Sequence, residues 1–165
     1  MDSEYFDETY ENFDNLQELS VVDYLYLIDV DVVKLRRLRN PKKLSLYCFD
    51  KLTDLTFEGG LGSPSLAELL LVDCPLTDTG LAGIATNHRM LREIGLEYCH
   101  NITGDGVIFL LERELLLQEF ILNDRRSLDG GWIGKLVDLC PRLRSLIARE
   151  YDDMYPFRAK RPAVR

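Results

Sequence analysis

Four cysteines and two histidines are the side chains of this 165-residue chain best suited to nucleophilic or metal chemistry. Their spacing argues against both uses. No Cys-x-x-Cys pair occurs, and zinc normally takes four ligands. Cys74 and Cys99 recur at one position of a repeating pattern, so they read as small buried residues whose thiols bond the backbone at a turn. Cys48 falls one position earlier beside Phe49, and Cys140 precedes Pro141 at the end of a helix. His88 and His100 stand in turns, with no Ser, Cys or Asp placed to complete a catalytic constellation, and read as solvated. Asp78, Asp105 and Asp129 sit near helix starts, where capping explains them more simply than a metal does. No phosphate-cradling Gly-x-x-x-x-Gly-Lys-[Ser/Thr] is present. The expectation is a non-catalytic chain with no cofactor and no metal.

The elements that carry these residues repeat. Leu16-Gln-Glu-Leu19-Ser-Val21, Pro41-Lys-Lys-Leu44-Ser-Leu46, Leu66-Ala-Glu-Leu69-Leu-Leu71, Leu91-Arg-Glu-Ile94-Gly-Leu96, Leu117-Gln-Glu-Phe120-Ile-Leu122 and Leu143-Arg-Ser-Leu146-Ile-Ala148 share the form L-x-x-L-x-L. Their starts at 16, 41, 66, 91, 117 and 143 are 25 or 26 residues apart, within the period of leucine-rich repeats. Alternate apolar residues imply a short strand in each unit. The return path also aligns. Leu27/Val32/Leu35, Leu76/Leu81/Ile84, Ile102/Val107/Leu110 and Leu128/Ile133/Leu136 stand at offsets 0, +5 and +8, and the last two of each set share a helical face. Asp29, Thr77, Thr103 and Asp129 precede these helices and are expected to cap them. Gly59, Gly60, Gly62 and Pro64 leave the second unit with a short turn or irregular loop instead of a full helix. The expected fold is α/β: a right-handed solenoid, or horseshoe, of about six repeats spanning 16–151, with a concave parallel sheet and convex helices.

The ends differ from the middle. Residues 1–33 carry ten acids and no Lys or Arg; residues 1–15 also hold Tyr5, Phe6, Tyr10 and Phe13, and read as an acidic cap over the first repeat or a tail. Residues 152–165 read as a second cap followed by a basic tail. A net charge of −8 and a pI near 4.8 argue against nonspecific nucleic-acid binding, which needs a basic surface. No apolar run approaches the ~18 residues of a membrane span, and no signal peptide is visible, so an intracellular protein of cytoplasm or nucleus is expected.

Leu71-Val-Asp-Cys74-Pro-Leu-Thr77-Asp-Thr-Gly80-Leu, Leu96-Glu-Tyr-Cys99-His-Asn-Ile-Thr103-Gly-Asp-Gly106-Val and Cys140-Pro-Arg-Leu143-Arg-Ser-Leu146 together resemble the cysteine-containing leucine-rich repeats. These form the repeat region of F-box/LRR and antagonist-of-mitotic-exit-network-like proteins. The resemblance implies substrate recognition for an SCF-type ubiquitin ligase. Met1 to Asn15 is too short for an F-box, and no Leu-Pro-x-Glu opening appears.

In such a repeat the third, fifth, seventh and eighth positions face the concave side, the eighth being Asp23, Cys48, Asp73, Tyr98, Asp124 and Glu150. The residues expected to meet a protein partner are Glu68, Leu70, Val72, Glu93, Glu97, Glu119, Ile121, Asn123, Ile147 and Arg149. Acidic rows flanking an apolar stripe suggest a partner with a basic segment. The alternative is a structural assembly subunit that binds through its convex face or its ends.

Overall fold

Each of the first five sequence repeats becomes one strand and one helical return, and the sixth supplies a strand. The computed structural model describes residues 15–22, 26–38, 40–61, 64–113, 116–123 and 131–149, without the side chains of residues 131, 133, 136, 137 and 149. The strands are β1 (Glu18–Val22), β2 (Lys43–Tyr47), β3 (Glu68–Val72), β4 (Glu93–Glu97), β5 (Glu119–Asn123) and β6 (Ser145–Arg149). They form one six-stranded, all-parallel sheet in chain order. The returns carry α1 (Asp29–Val32) with a 3-10 turn at Val33–Arg37, then α2 (Asp54–Glu58), α3 (Asp78–Asn87), α4 (Gly104–Leu111) and α5 (Gly131–Leu139).

Equivalent residues pair across every strand junction, so Leu19, Leu44, Leu69, Ile94, Phe120 and Leu146 form one row. This row and the next inward one, Leu46, Leu71, Leu96 and Leu122, meet the helices in a single core. Strand periodicity sends every second side chain inward. Leu27, Val32, Leu35, Leu76, Leu81, Ile84, Ile102, Val107 and Leu110 close that core from the helix side, as the offset pattern implies. Leu128 and the side chains of Ile133 and Leu136 lie outside the described residues, as do both expected end caps at 1–14 and 150–165.

Strands β2, β3 and β4 end at the same place for a local reason. The residue after β2, β3 and β4 adopts a left-handed backbone: Cys48 at φ 60°, Asp73 at 53° and Tyr98 at 57°. Its N–H donates to the last carbonyl of the next strand, at Val72, Glu97 and Asn123, each at 2.8 Å. A non-glycine residue pays about 1–2 kcal/mol for this conformation, and the repeated bond offsets it. One residue further on, the Cys74 thiol turns inward to the carbonyls of Leu46 (3.8 Å) and Val72 (3.6 Å). Cys99 repeats this with Leu71 (3.7 Å) and Glu97 (3.6 Å). Both thiols are buried, and burial pushes Cys74 up to about 12 against the lowering effect of backbone hydrogen bonds.

The helix starts are joined from repeat to repeat. Thr77 caps α3 through the Thr79 N–H and Thr103 caps α4 through the Gly106 N–H, as expected. Thr53 caps α2 in the same way. Asp29 does not cap its own helix: it lies one residue inside, because Ile28 holds the cap position. Its carboxylate instead accepts from the Thr53 N–H (2.8 Å), the Thr53 hydroxyl (2.7 Å) and the Thr56 hydroxyl of the following repeat. Asp54 accepts likewise from the Thr77 N–H (2.9 Å) and hydroxyl (2.5 Å), and Asp78 from those of Thr103 (2.8 and 2.6 Å). Burial would raise the Asp29 carboxyl, but its three bonds outweigh that and hold it below the usual aspartate value. Gly106 leaves room for this clamp, since a Cβ there would overlap the Asp78 carboxylate, and a Cβ at Gly80 would come 2.3 Å from Leu76 Cδ1 and 2.5 Å from Asp54 Oδ1.

The glycine-rich second return holds a short helix, α2, and then a turn. Gly60, at φ 82°, has its carbonyl bonded by Arg36 Nε at 2.8 Å, and Asn87 Nδ2 bonds the Glu58 carbonyl at 2.8 Å. His88 completes this bracing. It is 1% exposed, and its Nε2 accepts the Leu61 N–H at 2.7 Å, so it is a core residue and not the solvated turn residue its position suggested.

The open face of the sheet as a candidate interaction site

The helices cover one side of the sheet, which leaves the third, fifth and seventh repeat positions on the other. The third positions form a row across the registered strands: Glu18, Lys43, Glu68, Glu93, Glu119 and Ser145. Neighbouring strands lie ~4.8 Å apart, so these charges crowd. Lys43 Nζ bonds Glu68 at 2.9 Å, and this bond with the charge of Glu68, helped by Glu93 and Glu18, raises the lysine above its usual value. At Glu93 the balance is unfavourable. Burial first, then the charges of Glu68 and Glu119, push its carboxyl up, and Lys43 only partly relieves it.

The fifth positions change character along the sheet. Ser20 is exposed and Ser45 buried; then come Leu70, Gly95, Ile121 and Ile147. Leu70, Ile121 and Ile147 are half-buried. Gly95 lets Leu70 lie across it, since Leu70 Cδ1 is 2.5 Å from the place a Cβ would occupy. Leu70 thereby approaches Ile121, and the stripe is continuous.

The seventh positions are mixed. Val22 is exposed, and Tyr47, Val72 and Glu97 are half-buried. Asn123, expected to face solvent, is 3% exposed, and its Oδ1 accepts no hydrogen bond among the described residues. The backbone of Arg149 pairs with Asn123 at the far end of the row, while its side chain lies outside the described residues. The eighth residues Cys48, Asp73 and Tyr98 turn off their strands in a left-handed conformation and do not continue the face as expected, and Asp23, Asp124 and Glu150 lie outside the described residues. There Tyr98 meets the exposed His100 edge to face at 6.3 Å between ring centroids. The structure thus brings together Glu68, Leu70, Val72, Glu93, Glu97, Glu119, Ile121 and Ile147, and sets Asn123 beneath the rim. Sequence alternation did not separate Asn123 from its exposed neighbours, because period two specifies a face and not what covers it. Among the described residues no group of three or more His, Cys, Asp or Glu is placed to hold a metal ion, and no helix is long and apolar enough to cross a membrane.

This is an α/β protein built on a six-stranded parallel sheet with helical returns. The chain matches no family model and no curated protein. Among solved structures it is similar to the C-terminal domain of tropomodulin from Caenorhabditis elegans, an LRR-like domain. The TM-score is 0.55 at 14% identity, over 86% of this chain and 93% of that one. At that identity the likeness is one of fold.

Proposed function

We propose that this chain is a leucine-rich-repeat solenoid of the cysteine-containing type, and a non-catalytic module that binds a protein partner on the concave face of its sheet. One observation carries the reading: Glu68, Glu93 and Glu119 stand on successive strands beside a continuous apolar stripe of Leu70, Ile121 and Ile147. Exposed apolar surface rimmed by charge favours association, and the uncompensated acids favour a partner with a basic segment. The likeness to an LRR-like domain supports the architecture. Substrate recognition for an SCF-type ubiquitin ligase, in cytoplasm or nucleus, is the finer assignment that the Cys74, Cys99 and Cys140 motifs support.

A second reading rests on a different surface. Val30 is 64% exposed and Leu55 65% exposed, at equivalent positions of α1 and α2, with Ile28 and Tyr26 also exposed nearby in sequence. Such a patch on the helix side suits an assembly subunit.

Affinity purification from native cells with wild type, Leu70→Asp, Ile121→Asp and Leu55→Asp separates the two. Loss of the same partner from both sheet variants, but not from Leu55→Asp, supports the first reading. The reverse moves the site to the helices. The Skp adaptor, sought in the wild-type eluate, tests the ligase assignment.

A further inference from the structure

Strands β4 and β5 place six residues of the open face in a lattice two strands wide and three positions long: Glu93 opposite Glu119, Gly95 opposite Ile121, and Glu97 opposite Asn123. All four corners are hydrogen-bond acceptors. Three are carboxylates, and the fourth is the Asn123 side-chain carbonyl, which is buried and has no donor among the described residues. A buried acceptor left unbonded is costly, so this corner is a standing demand for a donor from outside. The cation of the same row, Lys43, is bonded to Glu68 and only partly offsets the charge of Glu93. Between the corners the floor is apolar, made by Ile121 and by Leu70 lying across Gly95. The two acceptor ends are four residues apart, about 13 Å along a strand.

These dimensions specify an occupant. An extended peptide has the same rise as the strands below it, and its alternate side chains point to one side. Residues i, i+2 and i+4 of such a peptide would fall on the first acceptor pair, the apolar floor and the second acceptor pair. A guanidinium carries five N–H donors in a fixed fork, which suits two carboxylates side by side, or a carboxylate beside a carbonyl. We propose that the β4–β5 frame binds an extended protein segment of the form Arg-x-Leu-x-Arg, laid along the strands with one arginine between Glu93 and Glu119 and the other between Glu97 and Asn123. This rests on the concave-face reading above and adds to it the partner's spacing and donor chemistry. The Asn123 corner is buried in the free chain, so the second arginine must displace its cover to reach it.

The test uses the full chain and fluorescein-labelled peptides in anisotropy titrations: Gly-Arg-Ser-Leu-Ser-Arg-Gly, the rearranged Gly-Arg-Leu-Ser-Ser-Arg-Gly of equal charge, and Gly-Arg-Ser-Leu-Ser-Ala-Gly. The first peptide should bind at least about fivefold tighter than the rearranged one, because only its leucine meets the floor. Glu119→Gln should weaken it by about fivefold at low salt. Asn123→Ser should weaken the first peptide but leave the alanine peptide unchanged, a readout that a general loss of structure would not give. Asn123→Ala serves if the serine variant does not fold. Equal binding of the two arginine-leucine peptides, an Asn123 substitution that affects all peptides alike, or no binding at millimolar concentration would each overturn the proposal. If the native partner still depends on Leu70 and Ile121 in that event, the concave-face reading survives and only the spacing is wrong.

Discussion

The Asp–Thr clamps should carry a measurable share of the stability between neighbouring repeats, and Asp54→Ala tests it most directly. Its carboxylate accepts the Thr77 N–H at 2.9 Å and the Thr77 hydroxyl at 2.5 Å. A hydrogen bond to a charged group contributes about 1.5–3 kcal/mol. Both residues are half-buried, so water replaces part of what is lost. A loss of about 2 kcal/mol is therefore expected for the pair of bonds. Urea unfolding should show a lower midpoint with an unchanged slope. The exposed turn residue Asp50, replaced by Ala, should stay within about 0.5 kcal/mol of wild type. Thr77→Val also removes the cap on Thr79, so a double-mutant cycle isolates the clamp; the expected coupling is at least about 1 kcal/mol. Asp29→Ala adds a test by pH. The Asp29 carboxyl sits below its ordinary value of 3.8, so its contribution is full above that pH and is lost as pH falls through the lower folded value. The deficit of Asp29→Ala should accordingly shrink in acid. An Asp54→Ala loss no larger than the Asp50 control, or an additive cycle, would refute the clamp as a source of stability.

Gly106→Ala should destabilise by about 1–2 kcal/mol, since the added methyl displaces the Asp78 carboxylate, whereas Gly134→Ala, exposed and with nothing within 4 Å, should stabilise by about 0.5–1 kcal/mol in thermal or urea melts. Cys74→Ser should cost about 1–3 kcal/mol; with its thiol pushed up to about 12, Cys74 should resist iodoacetamide in the folded protein while the half-buried Cys48 reacts first, as read by peptide mass mapping. Glu93→Gln should stabilise at neutral pH by a few tenths of a kcal/mol, roughly the worth of a like-charge cross-strand contact. The folded carboxyl lies above its ordinary 4.5, so the penalty of ionising it is present above that raised value and disappears as pH falls below 4.5. A gain that persists or grows in acid would contradict the assigned cause.

Much of this fold was legible because a parallel, in-register sheet turns sequence period into spatial rows. Knowing that Leu44, Leu69 and Ile94 are equivalent was enough to place them side by side. The return helices were legible through the same offsets. What stayed hidden were contacts between unlike positions of neighbouring repeats. Asp29 looks like a helix cap when its own repeat is read alone, and becomes a clamp only when Thr53 and Thr56 arrive beside it. His88 looks like a turn residue until the glycine-rich return supplies the Leu61 N–H. The candidate face was readable as three rows of residues. The burial of Asn123 and the way Leu70 lies across Gly95 depend on side-chain packing, which no periodicity encodes.

The third-position row also shows why the two halves of the sheet deserve different readings. Across Glu18, Lys43 and Glu68 the signs alternate, and Lys43 lies close enough to bond Glu68 at 2.9 Å. Alternation of this kind is what stability alone would favour in a parallel stack, because like charges directly opposite are destabilising. The fifth positions beside that half are Ser20 and Ser45, which need no partner to cover them. At Glu93 and Glu119, on β4 and β5, the alternation stops, and the fifth positions turn apolar at Leu70 on β3, Ile121 on β5 and Ile147 on β6. The uncompensated acids of β4 and β5 and the half-buried apolar side chains of β3, β5 and β6 each cost the free protein something, and they lie side by side. A single incoming segment with a cation and an apolar side chain would relieve both costs at once. The N-terminal half exposes Val22, but its charges alternate in sign, so a partner that needs both unpaired acids and apolar surface should leave Ser20 and Lys43 uncovered. Hydrogen exchange on the bound complex would show it, with protection confined to β3 through β6. Protection spread evenly from β1 would mean that the partner follows the shape of the sheet and not this chemistry.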